Sequence, residues 1–202
     1  DYRTSGSGNW RDSTTWETYD GTFWVATTDA PDGVNSGVIT IRAGHNISNA
    51  SQGIDADQLV IENGGQLSLS EGTLHLLNGA GDDLTCNGTI NMNTASIVVD
   101  GVAEFTGSSS FNWGGLTHLG GAGVFNIRQG CSFSIDGNSD HSLEAGAVLN
   151  IYTTCDFSSN TLMTIVDGSV FNNYFVFDIT NNADISSPTS DGIFNNNIGG
   201  LV

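Results

Sequence analysis

Four arginines, no lysine and 22 acidic side chains give this 202-residue chain a formal net charge of −18. That balance excludes nucleic acid as a partner, because neutralising phosphates requires clustered cations, and it disfavours anionic membrane surfaces. With 27 Gly, 2 Pro and 13% charged residues against about 25% in an average domain, short strands joined by tight turns are expected and helices are not. No apolar run reaches the roughly 18 residues of a membrane-spanning helix, so membrane insertion is not expected.

The chain starts at Asp1 without a Met, as expected of an exported, extracellular protein whose leader has been removed. Residues 1–37 show no repeat but carry Tyr2, Trp10, Trp16, Tyr19, Phe23 and Trp24. From residue 38 onward the chain is periodic. Residues 148–157 recur without gaps at 170–179 and resemble 124–133, and Phe105/Phe111, Ile61/Leu67 and Ile41/Ile47 share one six-residue spacing. Coils are expected to begin at Ile39, Leu59, Asp82, Ala103, Phe125, Leu149, Phe171 and Ile193, a mean step of about 22 residues.

Each coil opens with an apolar–polar–apolar alternation, the period of a half-buried strand. A Gly- or Asn-rich corner follows, then a second strand whose inward column is predicted as Ile47, Leu67, Ile90, Phe111, Phe133, Phe157 and Ile179. A third strand is suggested by Leu74 and Leu76, Ile97 and Val99, Leu116, Leu143, Met163 and Ile165, and Ile185. The predicted fold is an all-β, single-domain, three-sided parallel β-helix of about eight coils over residues 38–202, roughly 40 Å long at ~4.8 Å per coil. An open solenoid end exposes unpaired backbone, and residues 1–37, with Trp10, Trp16 and Trp24, are the expected N-terminal cap.

The run Ser7-Gly8-Asn9-Trp10, with Thr15-Trp16, Pro31, Val38-Ile39-Thr40-Ile41 and Gly44-His45-Asn46-Ile47, resembles the opening of β-solenoid modules in large secreted surface proteins of Bacteroidetes-type bacteria. The resemblance covers about the first 50 residues. It implies a capped bacterial β-solenoid of a kind that occurs in adhesins, in cell-surface fibres and beside enzymes.

Candidate site residues follow from stacking the coils. Asp83 and Glu104 are expected in one outward column, Thr40, Val60, Asp83, Glu104, Asn126, Asn150, Asn172. Two stacked carboxylates repel unless a cation or proton lies between them, so the pair is either a divalent cation site, with Ca2+ the natural ion, or a solvated pair. No cofactor and no catalytic set is otherwise indicated. The next outward column, Ser48, Ser68, Asn91, Asn112, Ser134, Ser158, Thr180, carries no charge. It is expected to be a polar ladder or a flat docking face for a fibre or glycan.

Cys131 and Cys155 are expected in one column of adjacent coils, at a spacing a disulfide can bridge; the alternative is a pair of buried thiols. Cys86 is expected as an inert buried thiol, His45 as a turn residue, and His75, His118 and His141 on the surface. Asn46-Ile47-Ser48, Asn49-Ala50-Ser51 and Asn87-Gly88-Thr89 are glycosylation sequons only on a eukaryotic secretory path.

In the final coil Asn173, Asn181 and Asn195 are expected at positions that hold Ile, Leu or Phe earlier, leaving a polar, unfinished end. The resemblance, the lack of a catalytic set and the unlike ends together imply a non-enzymatic extracellular structural protein, a self-associating surface filament subunit or an adhesin module beside neighbouring surface modules. The alternative is a carbohydrate-binding or carbohydrate-degrading β-helix.

Overall fold

The computed structural model describes the chain apart from residues 50–52, 159, 190 and 198; the Asn49 sequon runs into that first gap and lies outside the described residues. The fold is a three-sided parallel β-solenoid. The first sheet stacks Val38–Ile41, Gln58–Ile61, Leu84–Cys86, Val102–Phe105, Val124–Ile127, Val148–Ile151, Val170–Asn173 and Ile193–Asn196 in parallel. The second runs from Asn46–Asn49 to Phe177–Ile179 and the third from Ile54–Ala56 to Asp184–Ser186, each with seven solenoid strands. Among the described residues the body is therefore seven complete coils and the opening strand of an eighth.

The cap extends these sheets. Tyr2–Thr4 pairs in parallel with Val38–Ile41, Trp16–Tyr19 pairs antiparallel with Tyr2–Thr4, and Trp24–Ala26 pairs antiparallel with Trp16–Tyr19. Gly8–Asn9 adds to the second sheet at Ile47 and Ser48. Trp10 and Trp16 are fully buried and meet edge to face at 5.0 Å. Each indole N–H has an acceptor, Trp10 Nε1 donating to Pro31 O at 3.0 Å and Trp16 Nε1 to Trp10 O at 2.7 Å. Burying two such side chains stabilises by several kcal/mol only because these donors are satisfied. Trp24 instead lies half-exposed, with the Arg3 guanidinium 4.4 Å from its ring centroid.

Register corrects several expectations. Ile39, Leu59, Leu84, Ala103, Phe125, Leu149, Phe171 and Phe194 are successive Cα partners, so coils run from 19 residues (Leu84 to Ala103) to 25 (Leu59 to Leu84). The third coil thus opens at Leu84, not Asp82, and the last at Phe194, not Ile193. The one-residue shift in the last coil flips every side chain to the other face. Asn195 points outward, whereas Asn196 continues the interior column behind buried Asn173. Asn181 is an exposed corner residue with φ 63°.

The second sheet's inward column holds as Ile47, Leu67, Ile90, Phe111 and Phe133, then continues through Cys155 and Phe177. Phe157 and Ile179 belong to the neighbouring column, behind Trp113 and Ile135, and Ile179 is 36% exposed. The cause is one corner: five residues lie between Ile127 and Phe133, but three lie between Ile151 and Cys155. In the third sheet Leu119, not Leu116, stacks between Ile97 and Leu143; Leu116 is 54% exposed. The core is aromatic: Phe105, Phe111 and Phe133 stack at 4.7 and 5.3 Å, and Phe171 packs on Phe177 and Phe194 at 5.0 and 5.2 Å.

Corners are tight enough to dictate residue type. At Gly115, φ 69°, an added Cβ would lie 1.5 Å from Asn93 O in the preceding coil, so only glycine lets these coils stack.

Candidate functional site

Asp83 and Glu104 do not face each other. The outward partner of Glu104 in the preceding coil is Thr85, because the 25-residue coil carries Asp83 into the turn before the strand. There Asp83 is fully buried and accepts N–H bonds from Gly79 at 3.2 Å and Val102 at 2.9 Å. Burial holds its carboxyl above the ordinary carboxylate range, and the Asp57 charge adds to this, against the backbone hydrogen bonds that stabilise the anion. Asp83 closes a turn and lies outside the outward column of Glu104.

Glu104 is neutralised from the C-terminal side. Arg128 Nε and Nη2 donate to its two oxygens at 2.7 Å each, and Asn126 Nδ2 donates at 2.5 Å. This carboxylate raises the Arg128 pKa further. From Glu104 an amide ladder climbs the first sheet: Asn150 donates to Asn126 at 2.9 Å, Asn172 to Asn150 at 2.8 Å and Asn195 to Asn172 at 2.8 Å. All donors point toward the cap, so the carboxylate is the final acceptor of an aligned chain. Beside it Tyr152 and Tyr174 stack at 4.7 Å, with the Arg128 guanidinium 5.2 Å from the Tyr152 centroid. An outward column of Val124, Val148, Val170 and Ile193 completes this face.

The second sheet's outer column is a polar ladder only in its first part. Ser48, Ser68, Asn91, Asn112 and Ser134 follow one another as expected, with Asn112 Nδ2 donating to Asn91 at 2.5 Å and Ser134 to Asn112 at 3.1 Å. The same short corner then replaces Ser158 and Thr180 with Asp156 and Asp178, so the column is charged toward the C-terminal end.

The three cysteines are free and buried. Cys155 lies opposite Phe133 rather than Cys131, so of the two alternatives the buried free thiols hold and the candidate disulfide does not. Cys131 Sγ instead contacts Ser109 Oγ and Phe105 O at 3.1 and 3.2 Å. Burial pushes the Cys86 thiol up to about 12 and the Cys155 thiol well above its usual value.

His45 Nδ1 meets Thr4 Oγ1 at 2.6 Å and ties the first corner to the cap. His75, on the third face, lies between Asp100 at 2.8 Å and Asp55 at 3.6 Å, and His118 contacts Ser142 at 2.5 Å. His141 corrects the surface expectation. It is 1% exposed, packed edge-on against Trp113, with Nδ1 3.3 Å from Thr117 Oγ1. Its partner column is Thr117 and Met163, an interior position that the polar name of the residue conceals.

On the third face His118 Nδ1 meets Ser142 Oγ at 2.5 Å, Ser142 Oγ donates to Glu144 at 2.9 Å, and Glu144 lies 3.7 Å from the same His118 Nδ1; no cluster of three or more His, Cys, Asp or Glu with metal-holding geometry is found among the described residues. The sites absent from the sequence reading, the Glu104–Arg128 pair and the Tyr152–Tyr174 stack, were signalled by spacings of 22 to 24 residues between Glu104, Asn126, Asn150 and Asn172 and between Arg128, Tyr152 and Tyr174. No family model, curated protein or solved structure matches the chain.

Proposed function

We propose that the chain is a non-enzymatic structural component of an extracellular, surface-exposed assembly, a rigid solenoid that associates through its ends as a filament subunit or as a spacer module of an adhesin. The carrying observation is where apolar side chains meet water. Of the ten large hydrophobic residues exposed among the described residues, Tyr19, Phe23, Val25 and Val34 belong to the cap and Phe175, Ile179, Ile193, Leu201 and Val202 to the final coils. Leu116 alone lies between. The sides are lined by satisfied Asn and Ser ladders and the ends are not, a distribution that marks ends as contact surfaces.

Glycan binding is the second reading, favoured by the amide and tyrosine face of the first sheet. It is weaker on geometry. Sugar platforms need open ring faces, and those of Tyr152 are covered by Arg128 and Tyr174. Electron microscopy of material taken from the native surface is expected to show particles joined along the solenoid axis. Isolated particles that cleave or bind polysaccharide would replace the structural reading with the glycan one.

A further inference from the structure

The first sheet is the outermost at both ends of the molecule. At the cap it ends in Trp24–Ala26, and at the other end in Ile193–Asn196. Both are edge strands, with a row of backbone N–H and C=O groups left without a sheet partner. Their directions agree. Trp16–Tyr19 runs antiparallel to Tyr2–Thr4, and Trp24–Ala26 antiparallel to Trp16–Tyr19. The double reversal returns Trp24–Ala26 to the direction of Tyr2–Thr4 and of every solenoid strand of the sheet.

Side-chain columns agree as well. The interior column that starts at Val25 passes through Thr18, Tyr2, Ile39, Leu59, Leu84 and Ala103 and ends at Phe194. Val25 is 38% exposed and Phe194, stacked on Phe171, is half-exposed. Each edge thus presents an uncovered apolar residue of the same column.

We propose that the occupant of each edge is a second copy of this chain, with Ile193–Asn196 of one copy adding in parallel to Trp24–Ala26 of the next. The interior column then continues from Phe194 into Val25, and the contact is heterologous, so it propagates along the axis instead of closing into a dimer. This rests on the end-associating reading above and names the partner and the strands.

Charged substitutions at the two edges test it. Val25→Lys and Phe194→Lys each place an unpaired charge in the proposed seam while leaving the other edge intact. Sedimentation velocity on the wild-type chain is expected to show mass rising with concentration, with each variant alone monomeric and its dissociation constant raised about tenfold or more. Mixed together, the two variants form a heterodimer and nothing longer, because each contributes its undamaged edge; the rescue shows that both have folded. Leu116→Lys, on the side of the solenoid, leaves association unchanged. Wild-type association that survives Val25→Lys overturns the edge pairing and leaves the end-associating reading standing. A wild-type chain that stays monomeric at all concentrations overturns the second copy as partner, whereas the end-associating reading itself fails only if native material shows isolated particles.

Discussion

Glu104 receives both the Nε and the Nη2 of Arg128 at 2.7 Å from the next coil, and the same carboxylate terminates the hydrogen-bonded ladder of Asn126, Asn150, Asn172 and Asn195. The carboxylate side chain is 14% exposed, and its loss leaves the buried Asn126 amide and the partly exposed Arg128 fork without their acceptor. Glu104→Ala is expected to cost about 1–3 kcal/mol, read as a fall of several degrees in melting temperature. Arg128→Lys, which keeps the charge but loses the bidentate fork and the Tyr152 contact, is expected to cost more than half as much. A Glu104→Ala chain that melts with the wild type would show the ladder to be ornamental.

Asp83 is expected to be a structural carboxylate whose removal is felt in the backbone. Asp83→Ala strands the N–H groups of Gly79 and Val102, at about 1–3 kcal/mol. Because its folded pKa lies above the unfolded value of 3.8, the folded state holds the proton longer, and the stabilisation from that protonation is lost as pH rises from about 3.8 through the folded value. Comparing melting curves of the wild type and Asp83→Asn across the acid range checks this: the asparagine chain lacks that component.

His141 has the opposite sign. Burial lowers its pKa, opposed by Asp136 and Asp140 and assisted by His118, while Trp113, Thr117 and Met163 pack around the ring. The unfolded chain therefore takes up a proton first, and stability is lost as pH falls below about 6.5 toward the folded value. His141→Phe is expected to flatten the melting temperature between about pH 7 and 5. An unchanged slope would remove His141 as its source.

Thiol chemistry distinguishes free buried cysteines from a disulfide. Cys86, Cys131 and Cys155 are all expected to resist a thiol reagent in the native protein and all to react after denaturation without reductant. One thiol where three are expected would restore the Cys131–Cys155 bridge.

Interior truncations should scale with packing. Phe111, stacked between Phe105 and Phe133, is expected to cost about 3–5 kcal/mol as Phe111→Ala. Ile179→Ala, at an exposed position near the C-terminal end, is expected within about 0.5 kcal/mol of the wild type. Equal losses at the two sites would contradict the register of the second sheet.

The sequence by itself determined the architecture: a parallel solenoid with coils near 22 residues, an aromatic cap closed by Trp10 and Trp16, and the inward run from Ile47 to Phe133. These are legible because stacking imposes one apolar column per strand face, and a column repeats along the chain whatever the corners do. Which residues share a column beyond a corner was decided only in three dimensions. Corners absorb insertions and deletions of up to a few residues without a hydrophobic signature, and each such change moves the residues beside that corner to another column or face. That is why Asp83 left Glu104, Cys155 left Cys131 and Asp156 replaced Ser158. The two matching edges of the first sheet were equally invisible, because strand direction in the cap is set by hairpin pairing between residues 2–4, 16–19 and 24–26, whose sequence shows no repeat.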